Sequence, residues 1–393
     1  MSTDARLRPG WRKYRFDEIA INVNHRVDDP SEAGVEYYVG LEHLDSDSLA
    51  IRRWGSPNDV QATKLRFWKG DIIFGRRRVY QRKLGVAHFD GICSAHAIVL
   101  RAEPSVVRPE FLPFFMQSEL FMERAKEISV GSLSPTINWP ALGREEFVLP
   151  PIDDQKCIAA ALHKVEALCE AQRSVALAAA RLHAAQLASL ESEATERVRL
   201  EALLSDIVPG KSVAGASVPP APGEYGVLKV SAVDPEGFLA SESKRLLREE
   251  DFVPEFSLKS GDLIMTRANT PELVGEVCFV DRDFPTLMLS DKTLRLEPKK
   301  STDKYLLWEM LQTDSVRQQL MAVATGTGRS MKNISQDKIR GLFVAYPGDC
   351  APNKADRLRI SRRAIEQARS RHQEADHFRR TMRATLLGGE GIA

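Results

Sequence analysis

The chain has 393 residues, 43% of them hydrophobic and 28% charged, with a net charge of +1. That length supports two or three domains with substantial cores. The near-zero net charge excludes a polycation that binds nucleic acid by its overall charge, so any such contact has to come from local basic clusters. Five cysteines, at 93, 157, 169, 278 and 350, form no C-x-x-C pair, so neither a zinc site nor a redox dithiol is suggested. Met1 to Arg12 is polar, and no run approaches the roughly 18 apolar residues of a membrane span. A cytoplasmic chain with free thiols is expected.

In chain order, the first globule opens with short apolar runs bounded by glycine and charge, which suit strands: Ile72-Ile73-Phe74, Ala97 to Leu100, and Phe147 to Leu149. Between them, one amphipathic helix is expected near 109–128, with Leu112, Phe115, Met116, Leu120 and Phe121 on one face. Pro150-Pro151 and a capping Asp153 then start a helix of 153–196 that contains neither Gly nor Pro. Its apolar stripe is Ile158, Leu162, Val165, Leu168, Val175, Leu182 and Leu190, thickened by alanines. The second globule, 197–350, includes a Gly/Pro/Ala-rich surface loop at 209–223 and a helix near 303–323. A second long helix, 351–387, carries Leu358, Ile365, Ala368, Ala375, Phe378, Met382 and Leu386 and stops at Gly388-Gly389, leaving a tail of 388–393.

The chain is written twice. Lys69-Gly70-Asp71-Ile72-Ile73-Phe74-Gly75-Arg76 returns as Ser260-Gly261-Asp262-Leu263-Ile264-Met265-Thr266-Arg267, 191 positions on. Tyr38-Val39-Gly40-Leu41 parallels Val227-Leu228-Lys229-Val230, and Ala97 to Arg101 parallels Thr293 to Glu297. Gly131-Ser132 through Asn138 matches Gly326-Thr327 through Asn333, and Phe147-Val148-Leu149 matches Leu342-Phe343-Val344, both at 195. A period this long is a duplicated domain and not a solenoid array. At 1.5 Å per residue the long helices reach roughly 55–65 Å. Their heptad-like stripes predict a coiled coil, most simply antiparallel within the chain, with a homodimeric coil between chains as the alternative. The expected fold class is α+β, with two tandem α/β domains separated by two long, pseudo-two-fold-related helices. Such a calliper suits two unlike DNA half-sites, since equivalent groove faces recur about every 34 Å.

At this point the chain resembles the specificity subunits of type I restriction-modification systems. The marks are K-G-D-I-I and K-S-G-D-L-I, G-S-L-S-P-T-I-N at 131–138, and V-L-P-P-I-D-D-Q at 148–155 leading into a helix. The second copy departs, with Ala345-Tyr346-Pro347-Gly348-Asp349-Cys350 in place of the P-P-x-x-x-Q junction. The resemblance implies a non-catalytic, sequence-specific DNA-binding subunit that reads a bipartite asymmetric motif through two target-recognition domains. It implies double-stranded DNA, two methyltransferase (modification) subunits and restriction/translocase subunits as partners. AdoMet, ATP and Mg²⁺ would belong to those partners, with no cofactor in this chain.

Candidate DNA contacts follow from residue chemistry. Arg76-Arg77-Arg78-Val79-Tyr80-Gln81-Arg82-Lys83 holds five positive charges in eight residues; arginine forks onto guanine and glutamine onto adenine, against the plainer reading of a solvated loop. Its counterpart in copy two is Arg267, Asn269 and Thr270. A second pair of segments supplies Ser134 and Asn138, and Thr327, Arg329, Lys332 and Asn333. His88, His96 and Lys292 are taken as structural or rim residues. Catalytic motifs fail: Gly210-Lys211-Ser212 has Ser205 where a phosphate loop needs Gly, position 331 is Met where a dinucleotide loop needs Gly, and Asp154-Gln155-Lys156 lacks an upstream partner. The competing readings are a DNA-modifying enzyme or nuclease of which this is the recognition part, and a coiled-coil scaffold without DNA affinity.

Overall fold

The repeated K-G-D segment makes one tight turn in each half of the chain. Gly70 and Gly261 sit at φ +94° and +84°, a region that glycine enters without steric cost. Asp71 then accepts from the Trp68 amide at 2.8 Å, and Asp262 from the Lys259 amide at 2.9 Å. Arg101 holds Asp71 through two hydrogen bonds of 2.7 and 2.9 Å, and Arg295 lies 3.5 Å from Asp262. The most visible mark of the repeat is therefore a turn that launches the central strand.

The computed structural model describes residues 8–194, 197–326, 331–347 and 351–388. It divides into two units, Met1–Arg173 with Ser370–Ala393, and Ser174–Arg369. In unit 1 an antiparallel sheet runs Ala20–Asn22, Ala97–Ala102, Ile72–Gly75, Leu84–Val86. Alternation along the strand sends Ile72 and Phe74 to one face and Ile73 to the other. The first face packs under Phe16, Phe115, Phe121 and Phe147, the second against Val39, Phe67 and Cys93. Both faces are covered, so the run Ile72-Ile73-Phe74 has no polar break. The second sheet runs Arg26–Val27, Lys64–Phe67, Gly91–Cys93, Tyr38–Val39, the last pair parallel.

Unit 2 repeats the central sheet in the order Leu204–Pro209, Thr293–Pro298, Leu263–Thr266, Val277–Phe279. Leu263 and Met265 face one core and Ile264 the other. Its second sheet again sets Gly226–Leu228 parallel to Phe284–Met288 and Ser257–Leu258 antiparallel to it. The two units differ at the edge. The extra strand Arg26–Val27 flanks Lys64–Phe67 in unit 1, whereas Ser243–Arg245 flanks Gly226–Leu228 in unit 2. The loop after Pro209 lies within unit 2, bridged at Lys211 to Ser290 and at Gly215 to Leu246.

Three expectations need correction. Each single helix inside a globule is two. Leu112–Met116 and Glu119–Glu127 break at Gln117-Ser118, where Ser118 Oγ accepts from the Phe121 amide at 3.2 Å and restarts the helix. Lys304–Leu311 and Asp314–Val323 break likewise at Gln312-Thr313. The first long helix is Ile152–Glu193, so Asp153 lies in its first turn, beside the positive end of the helix dipole, and is not its cap. Residues 195–196 and Gly389 lie outside the described residues. The second long helix is Ala351–Leu387.

The buried stripe of the first long helix is also rotated from the expected one. Leu162, Val165 and Leu190 are buried, but Leu168 and Leu182 are exposed, and Cys169 and His183, one residue later, are buried instead. Val175 and Phe378 are exposed as well. A straight helix of 3.6 residues per turn drifts away from a strict seven-residue repeat, and polar seam residues conceal the true register. Gln155, buried, fastens the helix start to its globule: Oε1 accepts from the Arg108 amide at 2.8 Å and Nε2 donates to the Pro150 carbonyl at 2.9 Å. That bond set explains the P-P-x-x-x-Q junction.

In each unit the two helical stretches touch with their numbering opposed. In unit 1, Glu166 pairs with Arg379 and Cys169 donates to the Ala375 carbonyl. In unit 2, His183 meets Ser361 at 2.8 Å and Glu193 meets Lys354 at 3.2 Å.

Candidate nucleic-acid interface

The basic segment leaves strand Ile72–Gly75 and is tied to the loop before residue 138. The Ile137 amide donates to the Arg76 carbonyl at 2.9 Å, and the Arg78 amide donates to the Pro135 carbonyl at 2.8 Å. Arg77 and Thr136 form an antiparallel bridge between these ties. Two segments singled out separately, about sixty positions apart, thus form one surface. The Arg76 amide donates to the His96 carbonyl at 3.1 Å, which adds the turn before strand Ala97–Ala102.

Unit 2 builds the same junction. The Ile334 amide donates to the Arg267 carbonyl at 3.0 Å, and the Arg267 amide to the Lys292 carbonyl at 2.8 Å. Ala268–Asn269 pairs antiparallel with Lys332–Asn333. Arg267 therefore stands where Arg76 does, and Lys292 where His96 does. His96 and Lys292 share this place in the repeat, just before the strands at 97 and 293.

The individual side chains have different tasks. Arg78 is exposed with a left-handed backbone at φ +53°, Tyr80 is 55% exposed, and Gln81 is half-buried beside the anchoring Val79. Arg77 donates to Ser134 Oγ at 3.2 Å. Asn138 is exposed at the start of the short helix Trp139–Arg144. Two members of the cluster turn inward, contrary to the sequence expectation. Arg82 donates to Asp47 at 2.7 Å and to the Gln117 carbonyl at 2.5 Å, and Lys83 donates to the Leu41 carbonyl at 2.6 Å. Their charge is used to fix the loop, because carboxylate and carbonyl acceptors from distant segments converge beneath it.

In unit 2, Arg267 and Asn333 are exposed and Asn269 is half-buried, its Oδ1 accepting from the Thr270 amide at 2.9 Å. Lys332 Nζ donates to the Gly326 carbonyl at 2.7 Å. Thr327 and Arg329 lie outside the described residues. Around unit 1's junction the field is positive. Partial burial, then Arg77, Arg76 and Lys64, hold the His96 pKa below its ordinary value. Such a surface suits phosphate contact and base-edge donors. Among the described residues, no group of His, Cys, Asp and Glu is placed to hold a metal ion, and no helix is long and apolar enough to cross a membrane.

No protein-family model matches the chain. Over 156 residues it is 31% identical to the type I restriction enzyme EcoEI specificity subunit of Escherichia coli, covering 39% of this chain and 26% of that protein. Over 147 residues it is 24% identical to the EcoDI specificity subunit of the same organism, covering 37% and 32%. The matched segments thus span about a quarter to a third of those relatives. In fold, it is similar to the S subunit of a type I restriction-modification system from M. genitalium, with TM-score 0.61, 13% identity and 98% of both chains covered. A chain solved in work on complex assembly and conformational transition of the type I R-M system is also similar, with TM-score 0.53, 18% identity and coverage of 98% and 99%. The chain is thus similar in sequence, over 39% of its length, to a type I restriction enzyme specificity subunit, and shares over nearly all of its length the fold of solved type I restriction-modification S subunits.

Proposed function

We propose that the protein is the DNA-specificity subunit of a type I restriction-modification complex, reading a bipartite asymmetric sequence in double-stranded DNA. The supporting observation is the twin junction: in each unit a strand-end segment zips onto a loop about sixty residues downstream, at the same point of the same sheet. The backbone frame is shared and the side chains are not: unit 1 presents Arg77, Arg78 and Tyr80, and unit 2 presents Arg267, Asn269 and Asn333. Equal frames with unlike side chains suit half-sites of different sequence.

In this reading residues 1–152 and 197–350 are the two recognition domains. Residues 153–196 and 351–387 form an antiparallel coiled coil that spaces them with pseudo-two-fold symmetry. The helices also offer the docking surface for two modification subunits, to which restriction subunits add. The chain performs no chemistry itself; AdoMet, ATP and Mg²⁺ act in the partners. Methylation-aware sequencing of the host genome with and without this gene is the test. A split motif that vanishes with the gene is expected, and exchanging residues 1–152 for another member's domain changes one half of it. Change in both halves, or an unaltered methylome, overturns the proposal.

A further inference from the structure

The Arg77 side chain is held at two points. Its Nε donates to Ser134 Oγ at 3.2 Å and its Nη1 lies 3.1 Å from Nε2 of His96. A guanidinium carries five N–H donors in a rigid plane. With two engaged, the remaining donors keep a fixed direction. Phosphate contact tolerates a mobile cation, whereas a bidentate bond to guanine O6 and N7 needs an oriented fork. Among the described residues unit 2 shows no such device: the position matching Arg77 is Ala268, buried, and the partner strand carries Asn333 where unit 1 has Thr136.

We infer that Arg77 reads guanine for unit 1, and that His96 and Ser134 are its positioning residues. This deepens the proposed function and rests on it. For His96 Nε2 to accept from Arg77, the imidazole is neutral with its proton on Nδ1. The charges that act on it are those of Arg77, Arg76 and Lys64, all cations. With partial burial they keep the ring neutral at pH 7. Acid protonates Nε2, turns the acceptor into a donor and releases Arg77. Discrimination by unit 1, and not by unit 2, should then weaken as pH falls.

The test incubates the full chain, with whatever subunits co-purify, with a library of randomised duplexes and sequences the bound fraction at about pH 8 and at successive steps down through and below the ordinary imidazole range. At the higher pH the wild type should enrich a two-part motif. Arg77→Ala and Arg77→Lys should each lose about tenfold of guanine preference within one half and leave the other intact. His96→Ala should lower the same positions. His96→Gln, which keeps an acceptor near the Nε2 position, should restore them and abolish the acid loss. An Arg77→Ala motif that is unchanged, or weakened equally in both halves, overturns the inference while the specificity reading stands. A wild type that enriches no motif at all overturns that reading itself.

Discussion

Arg362→Ala tests how the second long helix is anchored within unit 2. Glu309 is fully buried and accepts from Arg362 Nε at 3.0 Å and Nη2 at 2.8 Å, with His183 Nε2 at 3.1 Å. Arg362 also lies 4.5 Å from the Trp308 ring centre. Removing one partner of a buried ion pair strands the other charge and costs about 3–5 kcal/mol; His183 remains, so the lower end is expected. For a unit of this size each kcal/mol lowers Tm by roughly 2–4 °C, giving a fall of about 6–12 °C. Hydrogen exchange in Lys304–Leu311 during thermal or urea unfolding reports on this unit alone. Arg362→Lys keeps the charge but loses the fork, and should cost about 1 kcal/mol. Burial pushes the Glu309 carboxyl up, but the hydrogen bonds and charges of His183 and Arg362 outweigh it and hold the pKa below 4.5. A depressed carboxyl contributes stability above its ordinary pKa that is lost as pH falls through the folded value. The gap between wild type and Arg362→Ala should therefore shrink below about pH 4. A neutral-pH difference under about 1 kcal/mol, or a gap that widens in acid, refutes this account.

Two further outcomes concern unit 1. Arg78→Gly relieves a left-handed backbone at φ +53°, so stability should hold or rise by about 1 kcal/mol. Affinity for any duplex should fall, with the salt dependence of binding reduced by about one ion; an unaltered salt slope would argue against a phosphate contact. Asp47 accepts from Arg82 at 2.7 Å and Arg383 at 2.9 Å. Burial raises its pKa, but those two arginines hold it below 3.8. Asp47→Asn should cost about 1–3 kcal/mol at neutral pH, with the difference from wild type fading as pH falls below 3.8. Denaturant titrations across that range decide it, and a pH-independent difference would show that the charge is not what matters.

Local chemistry fixed much of this protein in advance. Glycine at a left-handed turn, an aspartate that caps it and an apolar run covered on both faces are properties of adjacent residues, so the strands at 72, 97, 263 and 293 were visible in the sequence twice over. The absence of Gly and Pro from 153–193 made the first long helix equally plain. Only the tertiary structure decided what depends on distant partners. The cluster at 76–83 reads as one charge run, yet Asp47 and the carbonyls of Gln117 and Leu41 draw Arg82 and Lys83 inward and leave Arg78 and Tyr80 outside. Arg77 gains its fixed direction from Ser134 and His96, which lie 57 and 19 positions away. The seam register follows His183 and Cys169 in place of Leu182 and Leu168, because the 3.6-residue turn decides which positions face the opposite helical stretch, and both polar groups find a partner there. Sequence spacing records the period of an element; which polar groups meet is settled by where the chain returns.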